Sequence, residues 1–403
     1  MRKVVVTGMG AVTSIGATMP AFWDGLVSGK CGMKKIERMS VEEHETTVAA
    51  EVDEAYQTEI SKYWKKRQLG ATTATTQFGL ASAAEAVTDC GVDMNEYDGS
   101  KVGVIFGVID TVYEDAECEK KNNLTLKNMP NGLPALIALK FGFQGPNFSL
   151  STACASSAYA IALGKQMIES GLCDMVVAGG TSGMVSHDTI TGFNQLLAMS
   201  VNPDPETAAR PFTKNRDGFI MGEGGGTIIL EAEESAKKRG ARIYCELAGA
   251  SATCEAFNLT APQTDGIGMA VSMRKALEDA AVSPDEVNYI NAHGTSTSLN
   301  DLYETKAIHS VFGDHAKELA VSSIKAAIGH TLGACGALEG IACVKAIETG
   351  ILPPTLHYDE PDEELDLDYV PNEARKADVN VAISNSFGFG GHNSTLVFRR
   401  YNG

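Results

Sequence analysis

Three runs in the first half of the chain constrain its fold most. They are Lys3-Val-Val-Val-Thr-Gly-Met-Gly, Lys101-Val-Gly-Val-Ile-Phe-Gly and Asp174-Met-Val-Val-Ala-Gly-Gly. Each is apolar without the polar alternation of a half-exposed strand, and each ends in glycine. Such runs read as strands buried on both faces, which a layered α/β protein provides. Helical spacing lies between them, over 19–27 with Gly29 as the stop and over 77–86 ending near Gly91. Residues 34–60 are polar, acidic and irregular. A polar insertion over 111–134, containing Glu114-Asp-Ala-Glu-Cys-Glu-Lys-Lys, reads as a solvated helix and loop that caps something.

After a charged helix over 233–238 the same order of elements starts again. Ile243-Tyr-Cys-Glu-Leu-Ala-Gly-Ala mirrors the opening strand, and Val287-Asn-Tyr-Ile-Asn-Ala-His-Gly mirrors the strand after Lys101. Leu319-Ala-Val-Ser-Ser with the Gly/Ala-rich run from Gly329 mirrors a strand-to-helix unit around Cys154. Val379-Asn-Val-Ala-Ile-Ser mirrors the strand of Val176. Two halves, 1–235 and 236–403, are therefore expected to form a duplicated α/β protein. No Pro/Ser-rich linker divides them, so one continuous core is expected.

Composition removes several classes of function. A net charge of -18 over 403 residues argues against nucleic acid or an anionic membrane as partner. No apolar run has the length of a membrane span, and the first residues lead straight into a strand rather than a signal peptide. The nine cysteines form no Cys-x-x-Cys pair and the eight histidines no His-x-x-x-His spacing. Free thiols in a reducing compartment, a cytoplasmic location and no metal site are the expectation.

One of those thiols stands apart. Asn147-Phe-Ser-Leu-Ser-Thr-Ala-Cys-Ala-Ser-Ser-Ala is a short alternating strand that turns through small residues into a helix. Cys154 is its only reactive group, and no apolar shell of large residues is written around it locally. A thiol at the first turn of a helix faces unpaired N–H groups that favour thiolate. A buried core cysteine is the alternative. A thiolate that attacks a carbonyl needs stabilisation of the resulting oxyanion. The second half offers His293 at a strand end, His330 at the start of a Gly/Ala-rich helix, and the glycine-dense turn Phe387-Gly-Phe-Gly-Gly-His-Asn. If the halves are related by a pseudo-twofold, these meet Cys154 at the centre. Taken singly, each could be structural.

Together with Val4-Val-Val-Thr-Gly-Met-Gly, Thr152-Ala-Cys-Ala-Ser-Ser, Arg210-Pro-Phe, Arg216-Asp-Gly-Phe, His293-Gly-Thr-Ser-Thr and Asn385-Ser-Phe-Gly-Phe-Gly-Gly-His-Asn, these motifs resemble the elongating beta-ketoacyl-acyl-carrier-protein synthases, in the right order from end to end. The resemblance implies a thiolase-like duplicated five-layer αβαβα fold and a homodimer, with a heterodimer with a related ketosynthase-like subunit as the alternative. It implies that Cys154 takes an acyl chain from an acyl carrier protein, after which malonyl-carrier-protein loses CO2 and attacks the thioester. No cofactor is implied beyond the carrier's phosphopantetheine. His293 and His330 would stabilise the enolate, and the N–H groups of Cys154 and Phe389 the oxyanion. Lys325 and Glu339 would stand behind His330, Phe389 would gate entry, and Thr295 and Thr297 would contact the pantetheine. Phe193, Val108, Thr260 and Asn393 are further expected substrate contacts.

Some positions depart from the family's pattern. The loop after the Lys101 strand reads Gly107-Val-Ile-Asp-Thr where Gly-x-Gly-Gly is usual, so a differently shaped acyl tunnel is expected. Leu197 stands where a carrier-binding Arg is frequent, Asn258 where a His is common, and Ser182 where Glu is usual. Lys62, Lys65, Lys66 and Arg67 form the densest basic run and are the candidate docking patch for an acidic carrier, a solvated helix start being the alternative. The expected function is fatty acid chain elongation, with a type II polyketide or polyene ketosynthase as the alternative. A non-catalytic chain-length partner ranks below both because Cys154 is present. A thiolase acting on coenzyme A esters would want a second cysteine near the C-terminal turn, and there is none beyond Val344.

Overall fold

The computed structural model describes residues 2–93, 97–109 and 124–403. The buried apolar runs of the sequence are strands. Ten strands form the main path: β1 (Val4–Thr13), β2 (Val102–Val108), β3 (Asn147–Leu150), β4 (Met175–Ser182), β5 (Gly224–Ala232), β6 (Cys245–Ala250), β7 (Tyr289–Asn291), β8 (Ala320–Ser322), β9 (Val381–Gly388) and β10 (His392–Arg399). They are hydrogen-bonded in the order β8-β7-β9-β10-β6-β1-β5-β4-β2-β3. Read outward from the middle, one arm is β1-β5-β4-β2-β3 and the other β6-β10-β9-β7-β8, each strand answering the one five places later. Pairing senses agree as well. β2 runs parallel to β3 and β4, as β7 runs parallel to β8 and β9, and the remaining pairs are antiparallel. The arms join where Val5 and Val6 of β1 face Glu246 and Cys245 of β6.

Helices separate and cover the arms. They are α1 (Met19–Val27), α2 (Ala74–Asp89), α3 (Ser156–Glu169), α4 (Ile267–Ala280), α5 (Ser298–Phe312) and α6 (Cys335–Thr349). α2 covers β1, β5 and β4 on one outside; α4 covers β10 and β6 on the other, with α5 against it. Between the arms lie α3 and α6, packed on each other and on strands of both. The result is the five-layer αβαβα arrangement. Small residues allow the central contact: a Cβ on Gly336 would come within 2.7 Å of the Ala158 backbone. Ile161, Leu338 and Ile341 are fully buried there, each contributing about 1.5–3 kcal/mol by leaving water.

Local differences from the sequence reading have plain causes. α1 spans the expected residues, capped by the Thr18 side chain with Pro20 in its first turn. α2 starts three residues before 77 and ends three after 86, because the Thr73 hydroxyl caps Thr76 N. The segment 34–60 is irregular apart from the strands Lys34–Lys35 and Val48–Ala49 and the helix Tyr56–Ile60. Of the expected insertion, 111–123 lies outside the described residues; the rest of it forms the helix Leu124–Lys127, a turn, and the start of the helix Gly132–Phe141. Among the described residues no helix is long and apolar enough to cross a membrane.

Parallel pairing brings the carboxyl ends of β7, β8 and β9 together, and the chain leaving the end of β3 reaches the same central place. This is where an α/β sheet binds its ligands.

Candidate active site

Cys154 sits between the end of β3 and the start of α3. Ala153 before it has φ 49, and the turn is closed by the Ser156 hydroxyl, which accepts from Thr152 N and donates to Ala153 O. The strained residue aims the sulfur out of the strand. Opposite, Gly388 at the end of β9 lies so close that a Cβ on it would meet Thr152 O at 2.9 Å and Cys154 N at 3.1 Å. That approach brings the N–H of Phe389, together with that of Cys154 itself, to the sulfur.

Two sequence expectations about this thiol are corrected. The first is the open space around it. Cys154 is buried in a cluster with Met184, Met199, Phe219, Met221 and Leu332, with Ile109 and Phe193 packed against it. The shell exists, but distant segments supply it. The second is thiolate at rest. α3 begins at Ser156, two residues beyond Cys154, and burial dominates: it pushes the Cys154 thiol up to about 11, against the pull of the Lys325 charge and the two N–H groups.

His330 comes after the Lys325–Ile328 helical turn and Gly329, whose φ is 69. Its backbone is clasped by the 220–222 segment, with His330 N donating to Ile220 O and Gly222 N to His330 O. Its Nε2 lies 3.1 Å from Cys154 Sγ. His293 ends the β7 segment. Its N–H and that of Gly294 donate to the Glu304 carboxylate at 2.9 and 2.8 Å, and Asn385 donates to the same group at 3.1 Å. The two rings meet edge to face, centroids 5.4 Å apart. Burial, and then the Lys325 charge, hold both imidazoles well below the usual histidine range, His330 adding to the effect on His293. Both are neutral at physiological pH.

Lys325 is itself buried, in an ion pair with Glu339. Burial works against its ammonium, yet the Glu339 carboxylate outweighs that and holds the lysine charged. Lys325 Nζ also donates to His293 O at 2.5 Å and sits 3.3 Å from His293 Nδ1. An ammonium can only donate. Nδ1 of His293 is therefore the acceptor, and its ring proton is on Nε2.

These groups open onto a cavity of about 510 Å³. Of the residues expected from sequence, Cys154, His293, His330, Phe389, Thr295, Thr297, Phe193, Thr260 and Asn393 all border it. Lys325 and Glu339 lie behind His293 rather than on the wall. Val108 does not border it: it is the last buried residue of β2, and the next residue, Ile109, faces the cavity instead. Asp110 and Thr111 lie outside the described residues. The basic run does not border the cavity either. Lys65 is the cap residue of the short helix Lys66–Leu69, and Lys62 pairs with Glu59 at 2.5 Å, as a solvated helix start would. Sequence reading passed over Glu304, Ile109, Met184 and Cys335. Glu304 had a signal, an acidic residue on the buried face of α5; the others are ordinary apolar or small positions until the fold closes.

Among the described residues two groups bring ligand-type atoms within 4.8 Å of one another. One is Cys154, His293 and His330. The other is Cys31, Glu206 and His357, which the sequence spacing could not foretell. There the Cys31 thiol donates to Pro205 O at 3.6 Å and burial raises its pKa, so it is a hydrogen-bonded thiol beside an exposed carboxylate.

A buried thiol with two neutral imidazoles and paired N–H groups, on a duplicated αβαβα frame, defines an acyl-transferring, carbon–carbon bond-forming site. The comparisons with known proteins agree. Residues 1–236 match the N-terminal domain of beta-ketoacyl synthase and residues 244–359 its C-terminal domain. The chain belongs to the beta-ketoacyl synthase family and is a condensing acyltransferase of the elongating type. It is 39% identical over 412 aligned residues to the 3-oxoacyl-[acyl-carrier-protein] synthase 2 of Staphylococcus aureus strain COL, covering 99% of each protein. Among solved structures it resembles the ishigamide ketosynthase/chain length factor, with TM-score 0.90 and 34% identity, and the type II polyketide ketosynthase AntDE solved with its acyl-carrier protein, with TM-score 0.89 and 32% identity. Both likenesses span 100% of each chain.

Proposed function

We propose that the protein extends an acyl chain held on Cys154 by two carbons, taking both substrates from an acyl carrier protein. The observation that carries this reading is the state of the two histidines: neutral, buried, 5.4 Å apart, and beside the thiol. The first half of the chain, 1–235, brings the nucleophile, and the second, 236–403, brings the imidazoles and the Phe389 turn.

In the first step the Cys154 sulfur attacks the carrier thioester. The N–H groups of Cys154 and Phe389 receive the oxyanion, and the carrier leaves as its thiol with the Cys154 proton. In the second, malonyl-carrier-protein loses CO2, the electron pair passing to an enolate whose oxygen accepts from the Nε2–H groups of His293 and His330. The enolate carbon attacks the acyl-Cys154 carbonyl, and the Cys154 sulfur is expelled as thiolate, which takes up a proton from solvent to restore the resting thiol. Loss of CO2 itself generates the carbanion, so no strong base and no cofactor is called for. Lys325 and Glu339 keep His293 in its donor tautomer. Thr295 and Thr297, whose hydroxyls share a hydrogen bond of 2.8 Å, lie where the pantetheine enters.

The gate has a defined fastening. Gly390 N donates to Leu259 O at 2.6 Å, and Glu255 N to Gly391 O at 2.9 Å. The Phe389 turn and the 255–261 segment therefore move as one, with positive φ at Gly390 and Gly391 as the hinge. At the cavity mouth Leu197 and Leu259 are 83% and 77% exposed, so the carrier meets an apolar rim, with Leu197 standing where the family pattern often has a carrier-binding Arg. Among the described residues the half-buried strand β3 is paired on one side only, and Leu139, on the helix packed against it, is exposed. These features support a homodimer formed through that edge, with a related ketosynthase-like subunit as the alternative partner.

Two expected results test the chemistry. Malonyl-carrier-protein decarboxylation, measured against pH, should show no acid limb near 6.5, because both imidazoles lose their protons well below that value in the folded enzyme. A limb at the ordinary histidine pKa would contradict the neutral pair. Gly388→Ala, which forces Phe389 N away from the sulfur, should slow acylation of Cys154 by about a hundredfold with the circular dichroism spectrum unchanged. Wild-type acylation would contradict the oxyanion assignment. Fatty acid elongation is the physiological reading. A panel of saturated, polyunsaturated and beta-keto acyl-carrier-proteins tests it against the polyketide or polyene alternative, with selection for polyunsaturated or keto chains overturning it.

A further inference from the structure

The enolate needs a donor from each imidazole, and Lys325 secures that for His293. His330 has no cation against its far nitrogen. Its Nδ1 instead lies 3.0 Å from Sγ of Cys335, the first residue of α6. The Thr331 hydroxyl in turn donates to that sulfur at 3.6 Å. A neutral imidazole carries one proton, so the two sulfurs on His330 cannot be served alike. Either Cys335 donates to Nδ1 and Nε2–H faces Cys154, or Nδ1–H faces Cys335 and Nε2 accepts. The Thr331 hydroxyl supplies the Cys335 sulfur with a donor, which leaves the thiol's own proton free to point at Nδ1.

We infer that Cys335 is a positioning residue that fixes the ring proton of His330 on Nε2, the nitrogen facing Cys154 and the reacting carbonyl. It does for His330 what Lys325 does for His293, through a neutral group rather than a charged one. Burial keeps it a thiol, pushing its pKa far upward despite the Lys325 charge. A second ammonium here would add an unpaired buried charge; a thiol adds none. Cys335 does not stand out in sequence, because the run from Gly329 reads simply as small residues at a helix start.

The assignment rests on His330 being an enolate donor. It is tested by comparing Cys335→Ala, Cys335→Ser and His330→Ala in two assays, malonyl-carrier-protein decarboxylation and acylation of Cys154. Cys335→Ala should lower the decarboxylation kcat about tenfold with KM unchanged, the size of one lost hydrogen bond, while acylation stays within about twofold of wild type. Cys335→Ser, which restores a donor of similar size, should recover most of the rate. Nitrogen-15 spectra of labelled histidine should place the His330 proton on Nε2 in the wild type and in Cys335→Ser, and lose that preference in Cys335→Ala. Wild-type decarboxylation in Cys335→Ala overturns the assignment. So does equal failure of the Ala and Ser variants in both assays, which would mark a packing role. If His330→Ala itself decarboxylates normally, the enolate-donor reading falls and takes this assignment with it. Loss in His330→Ala without loss in Cys335→Ala removes only the assignment.

Discussion

Cys154→Ala is expected to abolish condensation, lowering turnover by at least about a thousandfold. Among the described residues that line the cavity, Cys154 is the one thiol. Thr295 and Thr297 are weaker nucleophiles whose hydroxyls are bonded to each other, and Cys335 is held against His330 and Thr331. The loss should be chemical rather than structural. Alanine fits the space of the thiol, and the frame at this point is made by Ser156, Gly388 and the backbone of α3. Product formation from acyl- and malonyl-carrier-protein measures the effect, with the melting temperature as the control. Residual turnover within tenfold of wild type would move the nucleophile elsewhere.

His330→Ala is expected to lower malonyl decarboxylation by about two to three orders of magnitude, as removal of one preorganised donor from an oxyanion site does. It should leave acylation of Cys154 much less affected, since that step draws on the Cys154 and Phe389 N–H groups. His293→Ala should behave alike in decarboxylation but also lose some stability, because the buried Lys325 ammonium would lose its Nδ1 acceptor, whereas Glu304, bonded to the His293 backbone N–H, keeps its partner. The split between the two half-reactions is the informative result. If decarboxylation and acylation fell together in His330→Ala, the division of labour between imidazoles and amides would be wrong.

Much of the frame was legible in the chain because strands buried on both faces must be apolar on both. The runs at Val4, Val102 and Met175 became β1, β2 and β4, and their counterparts at Cys245, Tyr289 and Val381 took the matching places in the other arm. Cys154, His293, His330 and the Phe389 turn converge as their strand-end positions implied. What the chain could not tell was the environment. The thiol at a helix start suggested thiolate, and its burial by Met184, Phe219 and Leu332, brought from three other segments, reversed that expectation. Val108 and Ile109 differ by one residue, and one residue decides the face at a strand end. The Lys62–Arg67 run was legible as charge but not as position. The partner of His330 Nδ1 was illegible, since Cys335 gains its meaning only from a contact made when α6 closes on the site.

The chemistry turns on Cys154 carrying the chain. The most direct measurement is the intact mass of the purified protein after incubation with acyl-carrier-protein in the absence of malonyl substrate. A gain of one acyl group is expected on the wild type, discharged when malonyl-carrier-protein is added, and none on Cys154→Ala. No adduct on the wild type, or an undiminished adduct on Cys154→Ala, would contradict it.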